Sequence, residues 1–384
     1  MFTFTGFLAA GLAAVLAAAP ALAQRTVESA KHRVQVQTVA KGLEHPWGLA
    51  LLPDGRFLVT ERNSGRLRIG TPQGELSPPV ENVPEVFRYE GPTDRSQGGL
   101  FHVALHPRFA ENRLVYLSLS QPSEEGAGTA VVRGRLVEEG GAARLENVET
   151  VYTMNRHDSS GLHWGGRFVF HPKDGTLYIT VGERRNISRA QDAEDHAGSV
   201  IRVTDDGQVP KDNPFVKDDE KDDKIFSYGH RNPQGIAVHP QTQEVWLNDH
   251  GPKAGDEINR LRPGANYGWP FQTGGVDYSG APLGKGRRVE GMEPPVHIFE
   301  KTAAPSGLVF YAGAQFPAWK GDLVHGALQG EGIIRTRVEG DKVVEEEWIE
   351  LGRRIRDVQV APDGALWLIT EHEDGEVLRL TAAK

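Results

Sequence analysis

One phrase returns along the chain and limits the folds open to it: an apolar strand, a turn built on Pro or Asp-Gly, and a second apolar strand. It occurs as GLALLPDGRFLVTE, VALHPRFAENRLVYLSLS, GRFVFHPKDGTLYITVGE, GIAVHPQTQEVWLND, GLVFYAGAQFPAWKGDLVHGAL and VQVAPDGALWLITEH, six copies in all. The turn prolines Pro53, Pro107, Pro172 and Pro240 stand 54, 65 and 68 residues apart, and the 122 residues from Pro240 to Pro362 hold two further units. A strand–turn–strand repeat of this length points to radial repetition of four-stranded blades. Period-2 alternation in Arg56-Phe57-Leu58-Val59 and Thr176-Leu177-Tyr178-Ile179-Thr180 supports strands. The expected fold is therefore all-β, a six-bladed β-propeller of four-stranded antiparallel blades. Asp54-Gly55, Asp174-Gly175 and Asp363-Gly364 are read as hairpin turns.

Composition agrees: 45 glycines and 24 prolines suit turns and disfavour helix interiors. Formal net charge is −9, so no basic field draws nucleic acid or an anionic membrane. The chain has no cysteine, which removes disulfides, thiolate metal sites and thiol nucleophiles together. Phe7 to Ala23 is an uncharged apolar run ending Ala21-Leu22-Ala23 before Gln24. Residues 1–23 accordingly read as a signal peptide cleaved after Ala23, implying a periplasmic or secreted protein without stable membrane insertion. Residues 24–40 read as a polar lead and 41–384 as the propeller.

A propeller gathers loops from every blade at one end of its channel, so residues far apart in sequence converge there. Several loops carry residues that the fold does not require. Ser96-Gln97-Gly98-Gly99 precedes the second repeat and His163-Trp164-Gly165-Gly166-Arg167 the third. His163 is a candidate base, since imidazole suits proton removal near neutral pH. The fourth repeat opens with His230-Arg231-Asn232 and exits through Asp249-His250-Gly251-Pro252 and Asp256-Glu257-Ile258-Asn259. The exit segment concentrates oxygen donors of the kind Ca²⁺ takes. Arg354 and Arg356 open the sixth repeat, and strand alternation would aim both the same way, a pair suited to a polyanion.

The phrases HPWGLALLPDG, QGGLFHVALHP, HWGGRFVFHP, GHRNPQGIAVHP, DHGPKAGDEIN, GANYGWP and RIRDVQVAPDG resemble the soluble glucose/sorbosone dehydrogenase family of quinoproteins, most nearly its periplasmic aldose sugar dehydrogenases. The resemblance implies pyrroloquinoline quinone (PQQ) at the channel mouth with Ca²⁺ at its quinone edge, and oxidation of an aldose at C1 to the lactone. By matching motif it implies His163 as general base, Gln97 beside substrate and cofactor, and Arg231 polarising the quinone C5 oxygen. Asn232, Arg354, Arg356 and Gln329 would bind cofactor. Carbonyls of Gly251 and Pro252 would hold the first Ca²⁺, and Glu257 and Tyr267 a second, structural ion. Electrons would pass to an external acceptor, from a monomer or homodimer.

Two departures from the family pattern stand out. Gln329 occupies the place of a lysine, and Leu162 precedes His163 where relatives have an acid, leaving Asp158 upstream as the candidate substitute. Two other readings stay open. One is a Ca²⁺-dependent propeller lactonase or esterase, the other a non-catalytic binding propeller, since fold does not fix function.

Overall fold

The computed structural model describes Met1, residues 24–89 and residues 96–383. Residues 2–23, the bulk of the segment read as a signal peptide, lie outside the described residues. No helix among the described residues is long and apolar enough to cross a membrane. Six antiparallel sheets follow one another along the chain, the expected six-bladed β-propeller. The first, over Pro46–Leu51, Phe57–Glu61 and Arg66–Gly70, has three strands, and the next four sheets have four each.

The sixth blade differs from expectation in an informative way. It combines Ile355–Val360, Leu366–Thr370 and Gly375–Ala382 with two strands from the other end of the chain, Arg33–Leu43 and Gln24–Glu28. Val34 pairs with Ala382, Val36 with Leu380 and Thr38 with Leu378. The stretch read as a polar lead thus contributes strands that close the ring. Its period-2 text, Val34-Gln35-Val36-Gln37-Thr38, buries Val34 and Val36 against the fifth blade.

Six apolar clusters lie one to each seam between neighbouring blades, so every blade is stabilised from both sides. The largest aromatic group is Tyr311, Phe316 and Trp319, the last two stacked at 4.3 Å. At the channel, the inner strands share a further device. Each of the six is bulged close to its start, at Pro46/Leu49, Leu100/Val103, Gly165/Phe168, Pro233/Gly235, Pro305/Leu308 and Ile355/Asp357. A bulge adds a residue, bends its strand and re-aims the side chain there. Trp47, His102, Arg167, Gln234 and Arg356 all sit within these bulges, and the candidate site stands on them.

Candidate active site

A pocket of about 330 Å³ opens at one end of the channel, lined by Gln97, Asn232, Gln329, Arg354 and Arg356 together with Trp47 and Arg62. Five residues singled out from sequence, drawn from the loops before the second, third, fourth, fifth and sixth inner strands, therefore meet on one surface. Arg354 and Arg356 do line it together, but a bulge between Ile355 and Asp357 interrupts the simple alternation expected to align them.

His163 sits at the rim of this pocket, buried, with a positive φ of 51°. Its backbone N–H donates to Gln97 Oε1 at 2.9 Å. Its Nδ1 lies 2.5 Å from Glu183 Oε2. A carboxylate only accepts, so Nδ1 carries the proton and Nε2 presents the lone pair. Burial pushes the His163 pKa down to about 4, against the pull of Glu183; Arg231 and Arg185 lower it further. Glu183 is itself oriented by the Arg185 backbone N–H at 2.9 Å.

The carboxylate partner is thus not Asp158, as expected from its place in the loop. Asp158 pairs with Arg184 at 3.2 Å and with Arg189, and Arg184 in turn covers the Trp164 ring at 3.3 Å. Two competing cations claim Asp158, while Glu183 arrives from the end of the next strand, Leu177–Val181.

Arg231 and Asn232 are held by one buried carboxylate. Asp249 accepts the Arg231 N–H at 2.9 Å and the Asn232 N–H at 2.7 Å. The Arg231 guanidinium donates to the His250 carbonyl at 3.1 Å and lies 5.3 Å from the Trp269 ring. Asn232 Oδ1 accepts from Gly165 N–H at 3.1 Å and from Gln234 Nε2 at 3.2 Å, which joins the third and fourth blades.

Sequence reasoning missed the group that organises the arginines. Glu371 bonds Arg356 Nε and, at 2.8 Å, Arg62 Nη1. Burial would raise this carboxyl, yet Arg356, His45 and Arg62 hold it well below the usual carboxylate range. Arg62, Arg354 and Arg356 then stand over one carboxylate, leaving an excess of positive charge facing the pocket. Burial, and then Arg356, depresses the Arg354 pKa.

The residues expected to hold Ca²⁺ gather nearby. Glu257, Tyr267 and Gly251 line a crevice of about 10 Å³ with Asp249 and Arg231. That is room for about one water molecule or a bare ion. Gly251 donates its N–H to Asp256 Oδ1 at 2.9 Å. Burial, then Asp249, pushes the Glu257 pKa up to about 8, with Asn259 opposing. The Tyr267 hydroxyl is engaged by the Arg260 carbonyl at 2.6 Å and the Arg262 N–H at 3.0 Å, so only its carbonyl is left for an ion. Among the described residues no three His, Cys, Asp or Glu side chains group as a metal cage.

Fold and mouth together define a six-bladed propeller enzyme with a histidine–carboxylate dyad beside a cationic pocket. Residues 43–379 match the family described as Glucose / Sorbosone dehydrogenase. Aldose sugar dehydrogenase YliI of Escherichia coli is 42% identical over 353 residues, 91% of this chain and 93% of that one. The chain belongs to the glucose/sorbosone dehydrogenase family, and it is an oxidoreductase. Among solved structures, the apo form of the E. coli aldose sugar dehydrogenase superposes with a TM-score of 0.85 at 41% identity, covering 91% of this chain and 100% of that one. The PQQ-bound aldose sugar dehydrogenase of Streptomyces coelicolor gives a TM-score of 0.74 at 29% identity, covering 91% and 98%.

Proposed function

We propose that this protein oxidises aldose sugars at C1 to the lactone with PQQ bound in the mouth pocket, passing electrons to an external acceptor. The observation that carries the proposal is the pocket's composition: three arginines around a single carboxylate, next to a buried histidine with a free lone pair. PQQ is a planar tricarboxylate, and that donor set fits it. Arg354, Arg356 and Arg62 offer charge-assisted bonds to carboxylates, while Asn232 and Gln329 offer amides. When bound, PQQ supplies an ortho-quinone able to accept the electrons that leave C1.

The protein's own groups do the rest. His163 Nε2 takes the C1 hydroxyl proton as the carbon is oxidised, and Glu183 stabilises the resulting imidazolium through Nδ1. Gln97 fixes the histidine backbone. Arg231, anchored by Asp249, adds a fixed positive charge where negative charge develops, without reorganisation during the reaction. For Ca²⁺, the Gly251 and Pro252 carbonyls, neither bonded among the described residues, supply hard donors at the pocket edge. Glu257 and the Tyr267 carbonyl would serve a second ion, whose charge would compensate a buried carboxylate that now lacks a cationic partner.

A propeller lactonase would polarise its substrate with a metal held by Asp, Asn and Glu side chains at the channel centre. Here the channel centre carries arginines and amides, which favours the quinone reading. The test is reconstitution with PQQ and Ca²⁺ followed by dye reduction with a panel of aldoses. Absence of reduction with every sugar, together with no protein-bound quinone absorbance, would refute it.

A further inference from the structure

Below the mouth pocket the channel is closed, and the closure is built from all six blades. Arg167, in the bulge of the third inner strand, is buried at its centre. Its Nη1 meets Asp357 Oδ1 of the sixth blade at 2.9 Å and His102 Nδ1 of the second at 2.9 Å. Its Nε donates to the Gln234 carbonyl of the fourth blade at 3.0 Å, and Nη2 to the Arg356 carbonyl at 3.2 Å. Trp47, from the first blade, lies against the guanidinium at 4.1 Å. Asp357 Oδ2 also accepts the Leu49 N–H of the first blade at 2.9 Å. The fifth blade contributes Gly307, where an added Cβ would fall 2.3 Å from Asp357 Oδ1. Only glycine lets that strand approach so closely.

This layer separates two chambers. Above it lies the mouth pocket, lined by Trp47, Gln234 and Arg356; below it lies a cavity of about 590 Å³ lined by Arg167, His102 and Asp357 with apolar residues of the inner strands. The chambers share no lining residue. The two carbonyls that Arg167 holds belong to the residues that aim the pocket's polar groups. Gln234 Oε1 accepts from Arg356 Nη1 at 3.0 Å while its Nε2 donates to Asn232 Oδ1 at 3.2 Å.

We infer that Arg167 is a positioning residue: it closes the channel floor and, through the bulge carbonyls of Gln234 and Arg356, sets the direction of Arg356 and Asn232 toward the mouth pocket. Five N–H donors in a planar fork are needed to reach partners on four strands at once, which a lysine cannot do. Cofactor and sugar consequently enter and leave by the same mouth. For PQQ the inference rests on the function proposed above; the closed floor does not.

A double-mutant cycle on PQQ affinity, measured by equilibrium dialysis, tests the positioning role. Arg356→Lys is expected to weaken PQQ binding about tenfold in the wild-type background. In an Arg167→Met/Asp357→Asn background, which removes the buried pair without stranding a charge, the same change should weaken it less than threefold, because Arg356 is already misdirected. Equal tenfold losses in both backgrounds would overturn the inference, since a merely structural role gives additive effects. Arg167→Lys, which keeps the charge opposite Asp357, provides the cycle if the neutral pair does not fold. The floor is read without cofactor: acrylamide quenching attributable to Trp47, isolated with Trp47→Phe controls, should rise at least twofold in Arg167→Lys. Unchanged quenching overturns the closed floor, and failure of wild-type protein to bind PQQ overturns the proposed function and the positioning role together, leaving quenching to decide the floor.

Discussion

Replacing Glu183 by Gln probes the dyad most directly. The His163 and Glu183 side chains are both buried, and 2.5 Å separates Nδ1 from Oε2. As His163 takes a proton, the imidazolium and carboxylate charge centres stand about 4 Å apart, worth about 4 kcal/mol at an effective dielectric constant of about 20. At 1.36 kcal/mol per decade, that corresponds to a loss in kcat of about 10³-fold. A glutamine amide can also donate to Nδ1, which moves the proton to Nε2 and removes the base, so the loss acts on kcat with little change in KM. The assay is dye reduction by PQQ-reconstituted enzyme at saturating sugar, alongside a pH profile. In the wild type kcat/KM should fall as pH drops through about 4, where His163 protonates. Glu183 raises that pKa, so Glu183→Gln should shift the acid limb to lower pH. The same shift has a stability consequence. A histidine held near 4 in the fold and near 6.5 when unfolded contributes stability that is complete above about 6.5 and lost as pH falls toward 4, on the order of 3 kcal/mol. His163→Gln should therefore flatten the acid side of the stability curve. Glu183→Gln within threefold of wild type, with an unmoved acid limb, would refute the dyad.

The other expectations concern cofactor, metal and closure. Gln329, exposed at the pocket rim, is the natural place to add charge, and Gln329→Lys should tighten PQQ binding three- to tenfold, the gain shrinking with added salt; unchanged affinity at low salt would remove this residue from the cofactor site. Chelation with EGTA should lower the melting temperature of wild-type protein by several degrees and leave Glu257→Gln much less affected; equal responses would mean that Glu257 holds no ion. Starting the chain at residue 44 removes both outer strands of the sixth blade, including buried Val34, Val36 and Leu43. At about 1.5–3 kcal/mol per buried side chain the truncated protein should not fold stably, and a cooperative melt near the wild-type temperature would contradict the closure.

What could be read in advance was what recurs. Six strand–turn–strand phrases are a local signal, because period-2 alternation and turn residues act within a few positions of each other. His163, Arg231, Asn232 and the Arg354/Arg356 pair were recognisable because they stand immediately before or within inner strands, where residues with no packing role are conspicuous. The partners of those residues were not recognisable. Glu183 is 20 positions from His163 and Glu371 is 309 from Arg62, and only blade packing reveals that they meet. Ring closure by residues 24–43 was hidden for a similar reason, since pairing between chain ends leaves no mark except alternation. Asp158 illustrates the opposite error: proximity in sequence suggested a role that two arginines had already taken.

The missed acids nevertheless follow a rule. The second strand of a blade runs up to the mouth, and in four blades the position at or just past its end is acidic: Glu61, Glu183, Asp249 and Glu371. Each secures what the preceding inner strand begins with. Glu61 binds the Glu44 N–H at 2.8 Å, Glu183 binds His163, Asp249 binds the Arg231 and Asn232 N–H groups, and Glu371 takes the Arg356 guanidinium. In the second blade Ser120 stands in this place and its hydroxyl accepts the Gly99 N–H at 2.7 Å. The fifth blade has Ala327 there and no acid, and Gln329 follows two residues later at the rim. A carboxylate that anchors the start of an inner strand is a structural need of every blade. It becomes part of the chemistry only where that start carries an ionisable side chain facing the pocket, as at His163 and Arg356. On this view the site required no separate scaffold: substituting a few residues ahead of the bulges converts a repeated anchoring contact into a proton-transfer dyad on one blade and an oriented cation on another.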